Sequence, residues 1–206
     1  PDVVIANRFE LIAQAGKGSM GSVYRARDRQ TGHAVAVKVL TLSKPQDVFR
    51  FGREAELLAV VKHPHVVGYV AHGTTDDGIH YLVQEWVEGV TLREHIRAKG
   101  VDAPEAVIIA TRLAEALAAA HAHGVMHRDV KPENIILAAG DPNQVKLVDF
   151  GIARTSEEAT RLTRTGVMVG TPSYMSPEQS RGESSLGPEL DVWAIGCVLY
   201  ELLAGR

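Results

Sequence analysis

The chain has 206 residues and a formal net charge of −3, and 45% of its residues are hydrophobic and 23% charged. A chain of this length can form one large domain or two small lobes, and its composition is that of an ordinary globular protein. The slightly acidic net charge argues against a nucleic-acid partner. The single cysteine, Cys197, excludes an intrachain disulfide and favours a reducing, cytoplasmic location.

Three glycines near the start of the chain have the spacing G-x-G-x-x-G. They are Gly16, Gly18 and Gly21 in "AGKGSMGSVYRAR", and a glycine lets the backbone approach a phosphate closely. Strand-like segments lie on both sides, so the helix that opens a dinucleotide-binding turn or a P-loop is missing. A hairpin that folds over phosphates has the pattern G-x-G-x-x-G-x-V, which Val23 completes. Alone, the pattern also fits a glycine-rich hairpin without a ligand.

The strand "VAVKVL" places Lys38 among apolar residues. Such a lysine can protect an edge strand, but a buried ammonium needs an anion nearby. The next segment has helical periodicity, with an apolar stripe at Phe51, Ala55 and Leu58. Glu54 lies on the same stripe, so we expect it to pair with Lys38 and orient the lysine toward nucleotide phosphates. The alternative is that Glu54 lies at the margin of the stripe and reaches water.

Residues 102–124 predict a helix that is capped by Asp102, with Glu105 three residues later, and ended by Gly124. The segment "VMHRDVKPENIILAAGDPNQVKLVDFGIAR" follows. It contains H-R-D-x-x-x-x-N at 127–134 and D-F-G at 149–151.

Together with the glycine hairpin, Lys38 and Glu54, these motifs make the chain resemble the eukaryotic-type (Hanks-type) serine/threonine protein kinases, in particular their bacterial branch. The resemblance covers essentially the whole chain. It implies an α+β, bilobal fold, with an antiparallel β N-lobe and one key helix at 1–86. A mainly helical C-lobe, expected to lack its last helices, would occupy 87–206. The implied function is transfer of the γ-phosphate of ATP to Ser/Thr hydroxyls of proteins.

The resemblance also implies roles for the catalytic residues. Phosphoryl transfer mainly needs positioning of the reactants and neutralisation of charge, and these residue types supply both. Asp129 would accept or orient the proton of the substrate hydroxyl, and Lys131 would contact the γ-phosphate. Asn134 and Asp149 supply oxygen ligands that suit Mg²⁺, for which Mn²⁺ could substitute. Any one of these residues alone could be an ordinary polar loop residue, but their joint spacing argues against that interpretation.

By the same resemblance, Val23, Ala36 and Ile136 would sandwich the adenine. The backbone of Glu85 and Val87, in the connector "VQEWVEG", would bond its edge. Gln84 would then occupy the gatekeeper position. The residues expected around ATP are Gly16, Lys17, Gly18, Ser19, Met20, Gly21, Val23, Ala36, Lys38, Glu85, Val87 and Ile136.

The segment between Asp149 and Glu178 resembles a kinase activation segment, with "SPE" where the family usually has A-P-E. Thr163 and Thr165 match the threonine pair that related kinases autophosphorylate, and each phosphate would add about −1.5 to −2 charges. Ordinary loop threonines are the alternative. By the resemblance, Thr171 would tie Asp129 and Lys131 to the platform that binds the peptide substrate.

Two sets of histidines have structural interpretations. By resemblance, His127 belongs to a hydrophobic spine with Leu58 and Phe150 and is not a general base. His121 and His123 lie two residues apart on a helix, about 200° around its axis, so they cannot bind one metal from a single face. We therefore expect no zinc site.

The ends of the chain carry further expectations. The start shows no signal peptide. The longest apolar stretch, "LDVWAIGCVLYELLAG", contains Asp191 and Glu201 and is shorter than the roughly 20 apolar residues that span a bilayer, so it predicts a helix buried in a protein core. Related kinases continue beyond this helix, so we expect a longer native protein, which could itself be anchored in a membrane.

Two other functions compete with the kinase. A non-catalytic nucleotide-binding or scaffolding module is disfavoured because pseudokinases usually lack at least one catalytic residue. A small-molecule kinase of similar fold is disfavoured because "GTPSYMSPE" resembles a platform for a peptide substrate. The expected partners are protein substrates with Ser/Thr acceptors, and the resemblance also allows a dimer of kinase domains.

Overall fold

The structure, a computed structural model, describes residues 3–18, 21–42, 44–151, 172–183 and 186–205. The chain divides into two units. The first comprises Pro1–Val60 and Gly68–Trp86, and the second comprises Val61–Val67 and Val87–Arg206.

As far as the structure describes it, the first unit is a six-stranded antiparallel sheet with one helix. The order of its strands is β1-β2-β3-β4-β6-β5. The elements are β1 (Val4–Ile5), β2 (Phe9–Gly18), β3 (Gly21–Asp28), β4 (Ala34–Leu40), α1 (Pro45–Val60), β5 (Tyr69–Thr74) and β6 (His80–Glu85).

The alternation of side chains along β4 divides this sheet into two faces. Val35 and Val37 are buried in a core cluster to which β3 and β6 also contribute. Ala36 and Lys38 point to the opposite face, where Lys38 is directly opposite Val23 of β3 and Leu82 of β6. The predicted strand is therefore present, and Lys38 stands on the face away from this core.

Helix α1 follows the predicted periodicity and contacts β5. Phe51, Ala55 and Leu58 are its buried stripe, and Asp47 in its first turn is also buried. Glu54 is half-buried beside this stripe, whereas Glu56 is exposed.

Within the ranges that the structure describes, the second unit is mainly helical and has one small antiparallel sheet, in the order β7-β8-β9. Two short 3₁₀ turns, at Pro132–Asn134 and Pro172–Tyr174, connect its elements. These elements are β7 (Gly89–Thr91), α2 (Leu92–Lys99), α3 (Ala103–His121), β8 (Ile135–Ala138), β9 (Val145–Leu147), α4 (Pro177–Ser180) and α5 (Glu189–Ala204).

Helix α3 begins as the sequence predicts, since the Asp102 side chain accepts a hydrogen bond from the backbone N–H of Glu105 at 2.8 Å. Such a cap satisfies one of the backbone donors that every helix leaves unpaired at its start. Ile109, Leu113 and Leu117 are fully or almost fully buried. Helix α3 packs against α5, and the two helices form the core of the unit.

Helix α5 differs from the prediction of a helix buried on every side. Leu190, Ala194, Val198 and Leu202 form a buried stripe at intervals of four residues. The apolar side chains on the other side of the helix, Val192, Trp193, Tyr200 and Leu203, are exposed. Composition predicted a buried helix, but burial depends on which faces meet a neighbour. No helix in the described ranges is long and apolar enough to cross a membrane.

The two units together confirm the predicted α+β class. In the described parts of the chain, an antiparallel sheet with a single helix forms the first unit, and helices dominate the second.

Candidate active site

The loop that carries Asp129 is held by a buried carboxylate on α5. Asp191 is fully buried and accepts hydrogen bonds from the backbone N–H groups of His127 and Arg128, both at 2.8 Å. Its Oδ2 also lies 2.8 Å from Nε2 of His121, which must donate because a carboxylate only accepts. A buried charge is tolerated when it is hydrogen-bonded in this way, so Asp191 fixes the backbone just before Asp129.

Three polar side chains converge within this loop. Lys131 Nζ donates to Oδ2 of Asp129 at 2.7 Å. Asn134 Nδ2 donates to the same oxygen at 3.0 Å and to the backbone carbonyl of Asp129 at 2.8 Å. The Asp129 carboxylate is therefore held in one orientation by a cation and an amide.

His127 lies under this loop as a neutral, buried side chain. Its Nε2 is 2.9 Å from the carbonyl oxygen of Val148, so Nε2 carries the proton, and Nδ1 accepts a weak bond from the N–H of Asp129 at 3.3 Å. Burial lowers the pKa of His127. The ring packs at 4.6 Å from that of Phe150. This environment gives His127 a structural part, as the sequence predicts.

Asp149 follows β9, and two backbone hydrogen bonds hold the chain on either side of it. The N–H of Val148 donates to the carbonyl of Asn134 at 2.9 Å, and the N–H of Gly151 donates to the carbonyl of His127 at 3.0 Å. These hydrogen bonds place the chain segment of Asp149 beside the segment that carries Asn134, within the second unit. Ile136 lies in β8, half-buried.

The glycine hairpin of the first unit is formed by β2 and β3, which close at the pair Gly18 and Gly21. Gly21 has φ of +143°, and a Cβ atom there would lie 1.9 Å from the carbonyl oxygen of Val39. A Cβ atom at Gly16 or Gly18 would meet nothing within 4 Å. The fold therefore requires a glycine only at the last of the three positions.

The other nucleotide-site residues of the first unit lie on or beside the sheet. Gln84 is buried in β6, opposite Ala36 of β4. Glu85 ends β6, and its N–H donates to the carbonyl of Gly68 at 2.8 Å. Lys38 and Glu54 are both half-buried, and their pairing stays a prediction.

Some predicted residues fall outside the part of the chain that the structure describes. They are Ser19 and Met20 at the tip of the glycine hairpin and the threonines Thr163, Thr165 and Thr171. Lys17 is exposed at the end of β2, and Val87 is half-buried just after β6.

Sequence reasoning missed the part that Asp191 plays. The one available signal is its position, a charged residue in the first turn of the strongly apolar helix α5. A charge retained in such a helix has a partner, since burial without one is costly. The sequence does not show that the partners are backbone groups more than 60 residues away.

Comparison with known proteins identifies the family of the chain. The protein kinase domain family matches residues 9–206, and the chain belongs to this family. The predicted class of domain, a protein kinase domain, is confirmed.

Among the relatives, serine/threonine-protein kinase PknB of Mycobacterium leprae is 41% identical over 209 residues. The probable serine/threonine-protein kinase CE0033 of Corynebacterium efficiens is 43% identical over 211 residues. Each alignment covers 98% of this chain, but the chain spans only about a third of the relatives' length, 33% and 32%.

Two solved structures share the fold. The crystal structure of the Mycobacterium tuberculosis PknI kinase domain superposes with a TM-score of 0.79 and 29% identity, covering 100% of this chain and 77% of that one. Rad53 residues 1–466, in complex with AMP-PNP, superposes with a TM-score of 0.77 and 29% identity, covering 97% and 49%. The predicted kinase fold is confirmed.

Proposed function

We propose that the protein transfers the γ-phosphate of ATP to Ser/Thr hydroxyls of protein substrates. The observation that carries this proposal is the Asp129 carboxylate, which Lys131 and Asn134 hold on a loop fixed by buried Asp191. Both relatives described above bear the name of serine/threonine-protein kinases, and their similarity covers almost the whole chain.

Asp129 would receive or orient the proton of the acceptor hydroxyl, so that the oxygen is directed at the γ-phosphorus. Lys131 donates a hydrogen bond to this carboxylate and, with ATP bound, would contact the transferred phosphoryl group. Lys38, oriented by Glu54, would hold the remaining phosphates. These parts supply positioning and charge, which are the main requirements of phosphoryl transfer.

Asn134 and Asp149 fit a divalent cation such as Mg²⁺. The Nδ2 atom of Asn134 makes both bonds to Asp129, so Oδ1 is the atom left to bind a cation. Together with the carboxylate of Asp149, this gives a hard, all-oxygen donor set, the kind that Mg²⁺ prefers. A bound Mg²⁺ neutralises charge on the phosphate oxygens.

Gly16 and Gly18 support ATP as the nucleotide. The fold leaves open space where their side chains would be, so the lack of a Cβ atom serves something other than packing. Close approach of phosphates explains it. The backbone groups of Glu85 and Val87 would bond the edge of the adenine. Val23, Ala36 and Ile136 would supply the apolar contacts.

We further propose a cytoplasmic site of action for the domain, where ATP is abundant and a free thiol such as that of Cys197 is kept reduced. A dimer of kinase domains stays a prediction.

The test is a phosphoryl-transfer assay on the full-length protein, with radiolabelled ATP and a generic protein acceptor. Asp129→Asn should lower kcat by about 10²–10⁴-fold, the usual contribution of a general base, while the Kd for ATP stays unchanged. Asp77→Asn, the same substitution at an exposed acid in the β5–β6 turn, is the control and should act as wild type. Undiminished transfer by Asp129→Asn would refute the mechanism.

A further inference from the structure

A second polar cluster in the second unit surrounds Arg93, a residue of α2 to which the sequence motifs assign no role. Its Nε donates to Oε1 of Glu133 at 2.8 Å, its Nη1 donates to Oε1 of Glu201, and its Nη2 donates to the phenol oxygen of Tyr174 at 2.5 Å. All three guanidinium nitrogens are therefore engaged. Only 19% of the Arg93 side chain and 12% of the Glu201 side chain are exposed.

Tyr174 closes the cluster into a ring of hydrogen bonds. Its O–H donates to Oε2 of Glu201, while its oxygen accepts from Arg93. Arg93 lies in α2, Tyr174 in the second 3₁₀ turn and Glu201 in α5. Three segments that are distant in sequence are thus joined by one guanidinium group. Glu133 adds a fourth, the loop 127–134 that carries Asp129, which we call the catalytic loop.

The protonation states that this ring needs are stable around neutral pH. Burial alone would lower the pKa of Arg93, but the hydrogen bonds to Glu201, Glu133 and Tyr174 outweigh it and raise that pKa. Burial, reinforced by Glu201, raises the pKa of Tyr174 to about 12. The guanidinium therefore stays charged, and the phenol keeps the proton that it donates.

A second connection ties the segment 172–180 to the same loop. Ser176 is fully buried and forms a capping box with Gln179 at the start of α4. Nε2 of Gln179 donates to the backbone carbonyl of Arg128 at 3.1 Å. Arg128 comes directly before Asp129, and Glu133 comes directly before Asn134. The segment is therefore linked to the catalytic loop at two points, directly at Arg128 and through Arg93 at Glu133.

We propose that Arg93 is a positioning residue that sets the register of residues 172–180 against the catalytic loop. This inference rests on the proposed function, because the stretch "GTPSYMSPE" is the expected platform for the acceptor peptide. Arg93 touches neither ATP nor the reacting atoms in this role. Its removal should therefore impair the binding of the acceptor much more than the binding of ATP.

The first experiment measures both KM values in the full-length protein. Arg93→Met keeps the apolar stem but removes every donor, and it should raise the KM for a protein acceptor about tenfold or more, as expected for the loss of a charge-assisted hydrogen bond. The KM for ATP should stay within about twofold. Arg93→Lys keeps the charge without the planar fork and should restore only part of the loss. Arg97→Met, at an exposed arginine one turn later on α2, is the matched control.

The second experiment does not depend on activity. Amide hydrogen exchange of the full-length Arg93→Met protein should be faster in residues 172–183 and in the catalytic loop, and unchanged in the strands of the first unit. Tyr174→Phe removes a single hydroxyl group, so it should give the same pattern more weakly. It provides the comparison if Arg93→Met does not fold.

The outcomes separate the two proposals. Equal rises in both KM values, or exchange that is unchanged or faster throughout the second unit, would overturn the positioning role. Absence of phosphoryl transfer in the wild-type protein would instead overturn the proposed function, and the exchange pattern would still decide whether Arg93 holds the segment.

Discussion

The three glycines of the β2–β3 hairpin stand in their positions for two different reasons. Gly21 combines a φ of +143° with a close approach to the backbone of Val39, so no other residue fits there without distortion. Gly16 and Gly18 face open space, and the fold places no such demand on them. Stability and nucleotide binding therefore depend on different members of the same motif.

Alanine substitutions should separate these two effects. Gly21→Ala should lower the free energy of unfolding by about 1–3 kcal/mol, because a Cβ atom meets backbone at an unfavourable φ. Gly16→Ala and Gly18→Ala should change it by less than about 0.5 kcal/mol but raise the Kd for ATP. Urea unfolding and nucleotide titration measure the two quantities. Normal ATP affinity in both of the latter variants would show that these glycines do not contact phosphates.

Backbone conformation also distinguishes individual residues of the H-R-D loop and of the D-F-G turn. Arg128 and Asp149 have φ values of 66° and 59°, in the left-handed region that residues other than glycine seldom adopt. Such conformations cost of the order of 1–3 kcal/mol each and persist only when the surroundings hold them. The bond from the N–H of Arg128 to buried Asp191 is one such restraint. Neither conformation could be predicted from the sequence, because both depend on contacts made elsewhere.

At the scale of elements, an ion pair joins the start of β2 to the end of β3. Arg8 donates to both carboxylate oxygens of Asp28, at 2.9 and 2.7 Å, and Asp28 is buried. The Arg8 guanidinium, with further hydrogen bonds from the Gln30 backbone and from Thr31, holds the pKa of Asp28 well below its usual range, against the opposing effect of burial. The hairpin that carries the glycine motif is thereby fixed at its base.

This pair should make stability depend on pH. A carboxyl whose pKa is lowered by folding stabilises the folded state above its unfolded pKa, about 3.9, and loses this contribution as the pH falls further. At pH 7, Asp28→Asn should lower the free energy of unfolding by about 1–3 kcal/mol, and the difference from wild type should shrink progressively below about pH 4. Urea unfolding between pH 7 and pH 3 measures it.

The control is Asp76→Asn, at an exposed acid in the turn between β5 and β6. It should behave as wild type throughout this range. A difference between Asp28→Asn and wild type that stays constant with pH would contradict the role of the ionised carboxylate.

The elements predicted correctly are those with local signals. The Asp102 cap of α3, the apolar stripe of α1 and the alternation in β4 all depend on residues a few positions apart. The half-exposed state of α5 and the cluster around Arg93 depend on which segments meet in space. Arg93 and Glu201 are 108 residues apart, and neither belongs to a motif, so the sequence contained no signal for their contact.

At the scale of the whole molecule, the residues proposed for phosphoryl transfer are divided between the two units. The glycines, Lys38 and Glu54 belong to the first unit, and Asp129, Asn134 and Asp149 to the second. The motifs made this family assignment accessible from sequence, since each tolerates little variation in spacing. The contacts that hold the motifs in place were accessible only from the structure.

Regulation of the whole molecule is expected at Thr163 and Thr165, which lie in a segment outside the described residues. We propose that the protein phosphorylates both threonines itself. Each phosphate adds about −1.5 to −2 charges and can form one to three charge-assisted hydrogen bonds with arginines such as Arg128. Thr163→Ala/Thr165→Ala should therefore reduce activity about tenfold, the effect of losing one such bond.

Preincubation with ATP distinguishes this regulation from a simple defect. Wild-type activity toward a protein acceptor should rise with preincubation as the threonines are modified, whereas the double variant should stay at its initial rate. Thr155→Ala/Thr160→Ala, in the same segment, is the matched control and should rise as wild type does. If the Thr163/Thr165 variant is as active as the preincubated wild-type protein from the first turnover, phosphorylation of this pair does not regulate the kinase.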